Sequence, residues 1–181
     1  MTHLVADALD LAQHFVGPDR IAYAVSTAVG DGFELQAGLG WELGIVGYAG
    51  LSGGPTALSA YTLQLGRTVV VEDLRLAPVL GEDALLVSTG TISALTAPVR
   101  GQSGSSGLLG AFSSSRRLFG PDDAEFLQGI ADVISAALYR QEWQRHSTRP
   151  SLPWQAKENP APVSRTPAGK WDSPEPEDDP C

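Results

Sequence analysis

The sequence predicts an α+β domain, an α/β sandwich in which an antiparallel sheet of five or six strands carries packed helices, followed by a disordered tail. Three observations lead there. Apolar residues recur at helical spacing near both ends of residues 1–146, the pattern of helices lying on a core. Between them, β-branched or alternating runs are separated by glycine-containing turns, as in hairpin-connected antiparallel strands. Beyond residue 146 the composition shifts abruptly to proline and acid.

The elements follow in order. Residues 3–15 place Leu4, Ala8, Leu11, Ala12 and Phe15 at helical spacing, and Gly17 and Pro18 stop that helix. Arg20–Ala28 reads as a strand, residues 29–32 as a tight turn, and Phe33–Ala37 as the second arm of a hairpin. Residues 38–55 are glycine-rich and read as irregular. Thr56–Leu65 fits a helix, with Gly66 where a left-handed C-cap belongs. Thr68–Glu72 is a β-branched strand, and residues 81–88 accommodate a short helix. Thr91–Val99 and Gly107–Ser114 form a strand pair joined by a polar loop. Pro121 suits the first position of a helix, with Asp122, Asp123 and Glu125 favoured by the partial positive charge of its first turn. Phe126, Leu127, Ile130, Val133, Ile134, Ala137 and Leu138 then read as its apolar face, within a helix running to residue 145.

Residues 147–181 hold eight prolines, a density that blocks helix and sheet, while the terminal acids repel one another. Trp154 and Trp171 cannot make a core there; each is instead a candidate anchor for a partner. The single cysteine, Cys181, rules out an intramolecular disulfide and a cysteine metal cluster, and the chain suits a reducing cytoplasm. No basic leader precedes the first acids, Asp7 and Asp10, so no secretory signal is expected. No apolar run spans a bilayer. A net charge of −9 repels phosphate backbones, and Arg116 with Arg117 is the nearest approach to a basic patch. Neither nucleic acid nor membrane is an expected partner.

Catalytic equipment is sparse. Residues 16–144 contain no histidine, cysteine or lysine, which argues against imidazole bases, thiol nucleophiles, Schiff bases and His- or Cys-ligated metals. Neighbouring Glu72 and Asp73 on a strand point to opposite faces, and Asp122 with Asp123 has a sufficient role at a helix start. Gly38, Gly40 and Gly44 depart from dinucleotide-fingerprint spacing and follow a hairpin rather than opening a βαβ unit. No enzyme and no cofactor are expected.

A longer pattern does match. Tyr61, Thr62 and Gly66 followed by Thr68–Leu74 resemble the helix-then-strand segment of GAF domains. Gly90–Val99 is similar to their GvrSalavPv strand, Gly107–Ser115 to GvLsa.S, and Phe119–Asp123 to Ft.dD. Leu127–Ala131 through Ala137 and Leu138 matches their last helix. The resemblance covers residues 17–142. It implies a sheet of about six antiparallel strands with helices on both sides, and any ligand would lie between the sheet and the helices and loops over one face.

Within that family, bilin attachment uses a cysteine, haem a histidine from the domain interior and the methionine sulfoxide reductases catalytic cysteines; residues 1–146 have no cysteine, and their histidines, His3, His14 and His146, lie only on the terminal helices or at their ends. Phe119 and Asp123 keep the spacing of the cyclic-nucleotide signature, but Ala124 replaces its glutamate and no Asn-Lys pair precedes. The resemblance therefore implies a non-catalytic sensory or regulatory domain. Its expected partners are a noncovalent small-molecule ligand, a second copy through helices 3–15 and 122–145, and another signalling protein. Trp41, Tyr48 and Tyr61 are the candidate ligand-binding residues, since aromatics with a polar tip suit mixed cavities. The alternative is a ligand-free interaction scaffold whose tail recruits a partner.

Overall fold

The computed structural model describes residues 2–27, 32–54, 57–77, 80, 83–101 and 106–147. The tail with Trp154 and Trp171, and the turn expected at residues 29–31, lie outside the described residues. Strand Ser93–Arg100 (here β5) shows why two helical layers are needed: its first seven residues are all buried. Ala94 and Thr96 turn to one face of the sheet, Leu95, Ala97 and Val99 to the other. A strand buried on both sides must be covered on both sides.

The remaining strands are β1 (Arg20–Ser26), β2 (Gly32–Leu39), β3 (Gly50–Ser52), β4 (Val69–Val71) and β6 (Ser106–Ser113). They form one six-stranded sheet in the order β3-β2-β1-β6-β5-β4, antiparallel at every pairing. Helices α1 (Thr2–Val16) and α4 (Pro121–Ser147) pack on one face with Ile21, Tyr23, Leu95, Leu109 and Ala111. Helices α2 (Leu58–Leu65) and α3 (Ala84–Ser88), with a 3-10 turn at Leu74–Leu76, cover the other face with Ala22, Ala24, Ala94, Leu108 and Phe112. No helix among the described residues is long and apolar enough to cross a membrane.

Punctuation residues sit where their chemistry requires. Gly17 and Gly66 end α1 and α2 at φ of 62° and 64°, left-handed conformations that favour glycine. Pro121 opens α4. Four features differ from expectation. β3 lies inside the segment read as irregular, and Asp73 caps an unforeseen 3-10 turn. The core face of α1 is Val5, Ala8, Leu9, Ala12 and Val16, so Leu4, Leu11 and Phe15 point outward. Val133 of α4 is likewise exposed. Both helices carry large apolar residues outside their buried faces, Leu4, Leu11 and Phe15 on α1 and Val133 and Trp143 on α4, and periodicity alone then leaves the rotation of the helix undetermined.

Carboxylates pin the connections. Asp73 Oδ1 accepts from the Arg75 backbone N–H at 3.0 Å and from its Nε at 2.8 Å, and Oδ2 from its Nη2 at 2.6 Å. Chiefly through that side-chain bond, the Asp73 pKa is lowered to about 2. Asp19 accepts from the Ser114 hydroxyl and backbone N–H at 2.6 and 2.7 Å, bonds that lower its pKa too. A carboxyl group with a depressed folded-state pKa stabilises the fold fully above its unfolded value, and the contribution fades as pH falls through the folded value. Asp73→Asn is therefore expected to lower the urea midpoint at pH 7. The gap between variant and parent should narrow between about pH 4 and pH 2; a pH-independent gap contradicts this account.

Candidate functional site

The layer between the sheet and α2 and α3 is filled by the chain's own aromatic rings. On this face β6 presents Gly110 and then Phe112. A Cβ at position 110 would lie 2.4 Å from Phe112 Cζ, so the ring occupies the space above a residue without a side chain. Trp41 repeats the device over Gly38, where a Cβ would lie 2.8 Å from Trp41 Cδ1. Its indole Nε1–H donates to the Ile21 carbonyl at 2.8 Å. Its ring meets Phe112 edge-on, with centroids 5.7 Å apart at 70°, a favoured aromatic geometry. The Arg20 guanidinium lies 5.6 Å from the Trp41 centroid and donates to the Thr89 carbonyl at 2.8 Å.

Around these rings the polar groups satisfy one another. Thr62 and Thr96 hydroxyls are 2.7 Å apart, and Thr62 Oγ1 also donates to the Leu58 carbonyl at 2.8 Å. Ser59 Oγ donates to the Ser52 carbonyl. Buried Asp83 accepts from the backbone N–H of Ser52, and from those of Leu85 and Leu86 at 3.0 and 3.2 Å, capping α3 and fastening it to β3. The crevice between Leu58, Ser59, Asp83, Leu86, Thr96 and Phe112 amounts to about 180 Å³ and is nowhere wide enough for a water molecule.

The three residues expected to bind a ligand are not gathered into one cavity. Trp41 is half-buried within the filled layer. Tyr48 is 88 % exposed and lines a broad, open depression of about 680 Å³ with Thr27, Phe33, Glu34, Ser52 and Ala84. Tyr61 lies on the outer side of α2, 39 % exposed, and lines neither space. Sequence reasoning did not single out Asp83, Ser59, Thr62, Thr96 or Phe112 as residues of this layer. An acid directly before the apolar run Ala84–Val87 was a readable N-cap signal; the threonine pair joins two distant segments and left no local trace.

The remaining charged candidates have architectural roles. Arg117 donates to the carbonyls of Val16 and Gly17 at the end of α1 and lies over Phe119, 5.2 Å from its centroid. Arg116 pairs with Glu72 at 3.5 Å, and Asp123 Oδ2 accepts from the Gly120 N–H at 2.9 Å. Among the described residues no three His, Cys, Asp or Glu side chains converge as a metal site. Because the buried Asp83 carboxylate accepts from three backbone N–H groups, Asp83→Ala is expected to cost roughly 1–3 kcal/mol in urea unfolding, and Asp83→Asn, which keeps one acceptor, less. Equal loss in both variants would count against the capping role.

The fold is shared with solved structures of low sequence identity. The GAF domain of a two-component sensor histidine kinase from Bacillus halodurans superposes with a TM-score of 0.62 at 16 % identity, covering 80 % of this chain and 97 % of that one. The phycocyanobilin-bound GAF domain of a cyanobacterial phytochrome gives 0.62 at 18 % identity over 79 % and 86 %. Free methionine-R-sulfoxide reductase from Neisseria meningitidis, in complex with its substrate, gives 0.58 at 20 % identity over 80 % and 81 %. No curated protein matches the sequence significantly. The model of the GAF domain matches residues 1–138, and this chain belongs to the GAF domain family.

Proposed function

We propose that the domain is a regulatory, non-catalytic signalling module that dimerises through the outer face of α1 and α4 and passes its state to another signalling protein. One contrast supports this reading above all. The layer over α2 and α3 is occupied by Phe112 and Trp41, whereas the terminal helices leave Leu11, Phe15, Val133 and Trp143 between 44 % and 67 % exposed. Phe15 stacks on Phe126 of α4, with centroids 4.7 Å apart, so the exposed apolar groups of the two helices adjoin. A second copy would remove that surface from water, gaining roughly 25 cal/mol for each Å² buried. In sedimentation equilibrium the chain is expected to self-associate. Val133→Asp and Trp143→Asp are expected to shift it to monomer with the thermal midpoint little changed, since exposed positions seldom alter stability by more than about 0.5 kcal/mol. A chain monomeric at every concentration refutes this reading.

A second reading, noncovalent small-molecule binding, is favoured by the buried polar set Ser59, Thr62, Asp83 and Thr96. A ligand there would have to displace Phe112 and reuse those groups. Tyr48 and the open depression are the alternative place for it, with Trp41 and Tyr61 as rim residues only after such a rearrangement. Thermal shift against a panel of nucleotides and metabolites separates the two readings: a native-state ligand at 100 times its Kd adds about 2.7 kcal/mol. If Phe112→Trp abolishes that shift, the ligand lies within the layer; if only Tyr48→Ala does, it lies in the depression.

A further inference from the structure

The outward stripe of α4 is complementary to itself when turned end for end. Asp122, Phe126, Gly129, Val133, Ala136, Arg140 and Trp143 alternate at spacings of four and three, the period of a helix–helix seam. All are exposed except Phe126, which is half-buried beneath Phe15. An antiparallel copy centred beside Ala131 brings Asp122 against the partner's Arg140, Phe126 against the partner's Ala136, and Gly129 against the partner's Val133. Trp143 falls opposite the segment before the partner's α4, where Leu118 is exposed. The layers between residues 122 and 140 thus set acid on base or large on small. The parallel arrangement would set Asp122 on Asp122, Phe126 on Phe126, and two glycines across a gap.

Gly129 is the telling position. It lies in the middle of a 27-residue helix, where glycine is the least favourable residue after proline, and its φ is not in the left-handed region. A Cβ there would meet nothing within 4 Å, so packing within this chain does not require its absence. A shallow, open depression of about 520 Å³ lies at this place between Glu125, Phe126, Ile130 and Val133, where an incoming side chain would meet no Cβ at position 129. We infer that α4 pairs with α4 of a second copy in antiparallel register about Ala131, with Val133 of each copy seated in the depression over Gly129 of the other and Asp122–Arg140 pairs closing both ends. Asp132, whose carboxylate accepts from Gln128 at 3.0 Å, lies beside the axis on the flank of the stripe, where the two copies repel.

This inference rests on the dimer reading above, and disulfide mapping distinguishes the failure of one from the failure of the other. In full-length chain carrying Cys181→Ser, Asp122→Cys and Arg140→Cys are made separately, mixed and oxidised. In the antiparallel register the 122–140 disulfide is expected to dominate, because like positions lie about 27 Å apart along the helices. Disulfides 122–122 and 140–140 without 122–140 overturn the register and leave dimerisation standing. A sedimenting dimer with none of these cross-links moves the interface elsewhere, and a monomer removes both readings. Gly129→Leu fills the depression and is expected to abolish the dimer while leaving the thermal midpoint unchanged or higher, an outcome that misfolding cannot imitate. Asp132→Asn is expected to tighten the dimer, and Asp122→Arg to weaken it until Arg140→Asp is added.

Discussion

The ring of Phe112 lies over the sheet because position 110 bears no side chain, and much of the α2 and α3 side depends on that one accommodation. The ring gives Trp41 an edge to pack against, and Trp41 in turn holds the Ile21 carbonyl and supports the Arg20 guanidinium. Arg20 then reaches across to the end of α3 through the Thr89 carbonyl. A chain of contacts thus runs from a glycine in the centre of the sheet to a helix on its cover. It leaves the layer dense, as protein interiors generally are. The small residues Ala22, Ala24 and Ala94 bring the sheet surface close to those rings, so aromatic bulk above compensates for small side chains below.

Polar side chains do a different job in this molecule. They are spent on backbone groups at the ends of elements: Asp83 at the start of α3, Asp73 at the 3-10 turn, Asp19 on Ser114 and Arg117 at the end of α1. Ser93 links two further segments, its hydroxyl donating to the Glu72 carbonyl and accepting from the Arg117 N–H, both at 2.7 Å. These are the groups a search for acids, bases and anion-binding residues first notices. Their partners are main-chain donors and acceptors at the ends of elements, which have no partner within their own helix or strand.

Much of the architecture was legible from local chemistry. Gly17, Gly66 and Pro121 mark helix ends through their own backbone preferences, and Val69–Val71 declares a strand through β-branching. β3 escaped because Gly50–Ser52 is too short to show alternation; its ladder with Gly32–Glu34 uses the backbone alone. The candidate site was less legible for a related reason. Trp41 could be singled out as an aromatic beside glycines, but whether it rims a cavity or fills one depends on Phe112, more than one element away. The outward rotation of Leu11, Phe15 and Val133 was hidden for the opposite reason: α1 and α4 carry more apolar residues than one buried face requires.

Strand β6 stands between β1 and β5, and its register joins Gly107 to both Val25 and Val99. During synthesis, β1 with β2 and β3 can pair early, and β4 with β5 can pair later. Neither half can meet the other until the last strand has been made. Until then β1 and β5 each present an unpaired edge, the arrangement most prone to mispairing between chains. Closure must then overcome the entropy of a loop spanning most of the domain, so folding is expected to be slow for a protein of this size. The late, small-residue strand Ser106–Ser113 is therefore the kinetic keystone as well as the centre of the finished sheet.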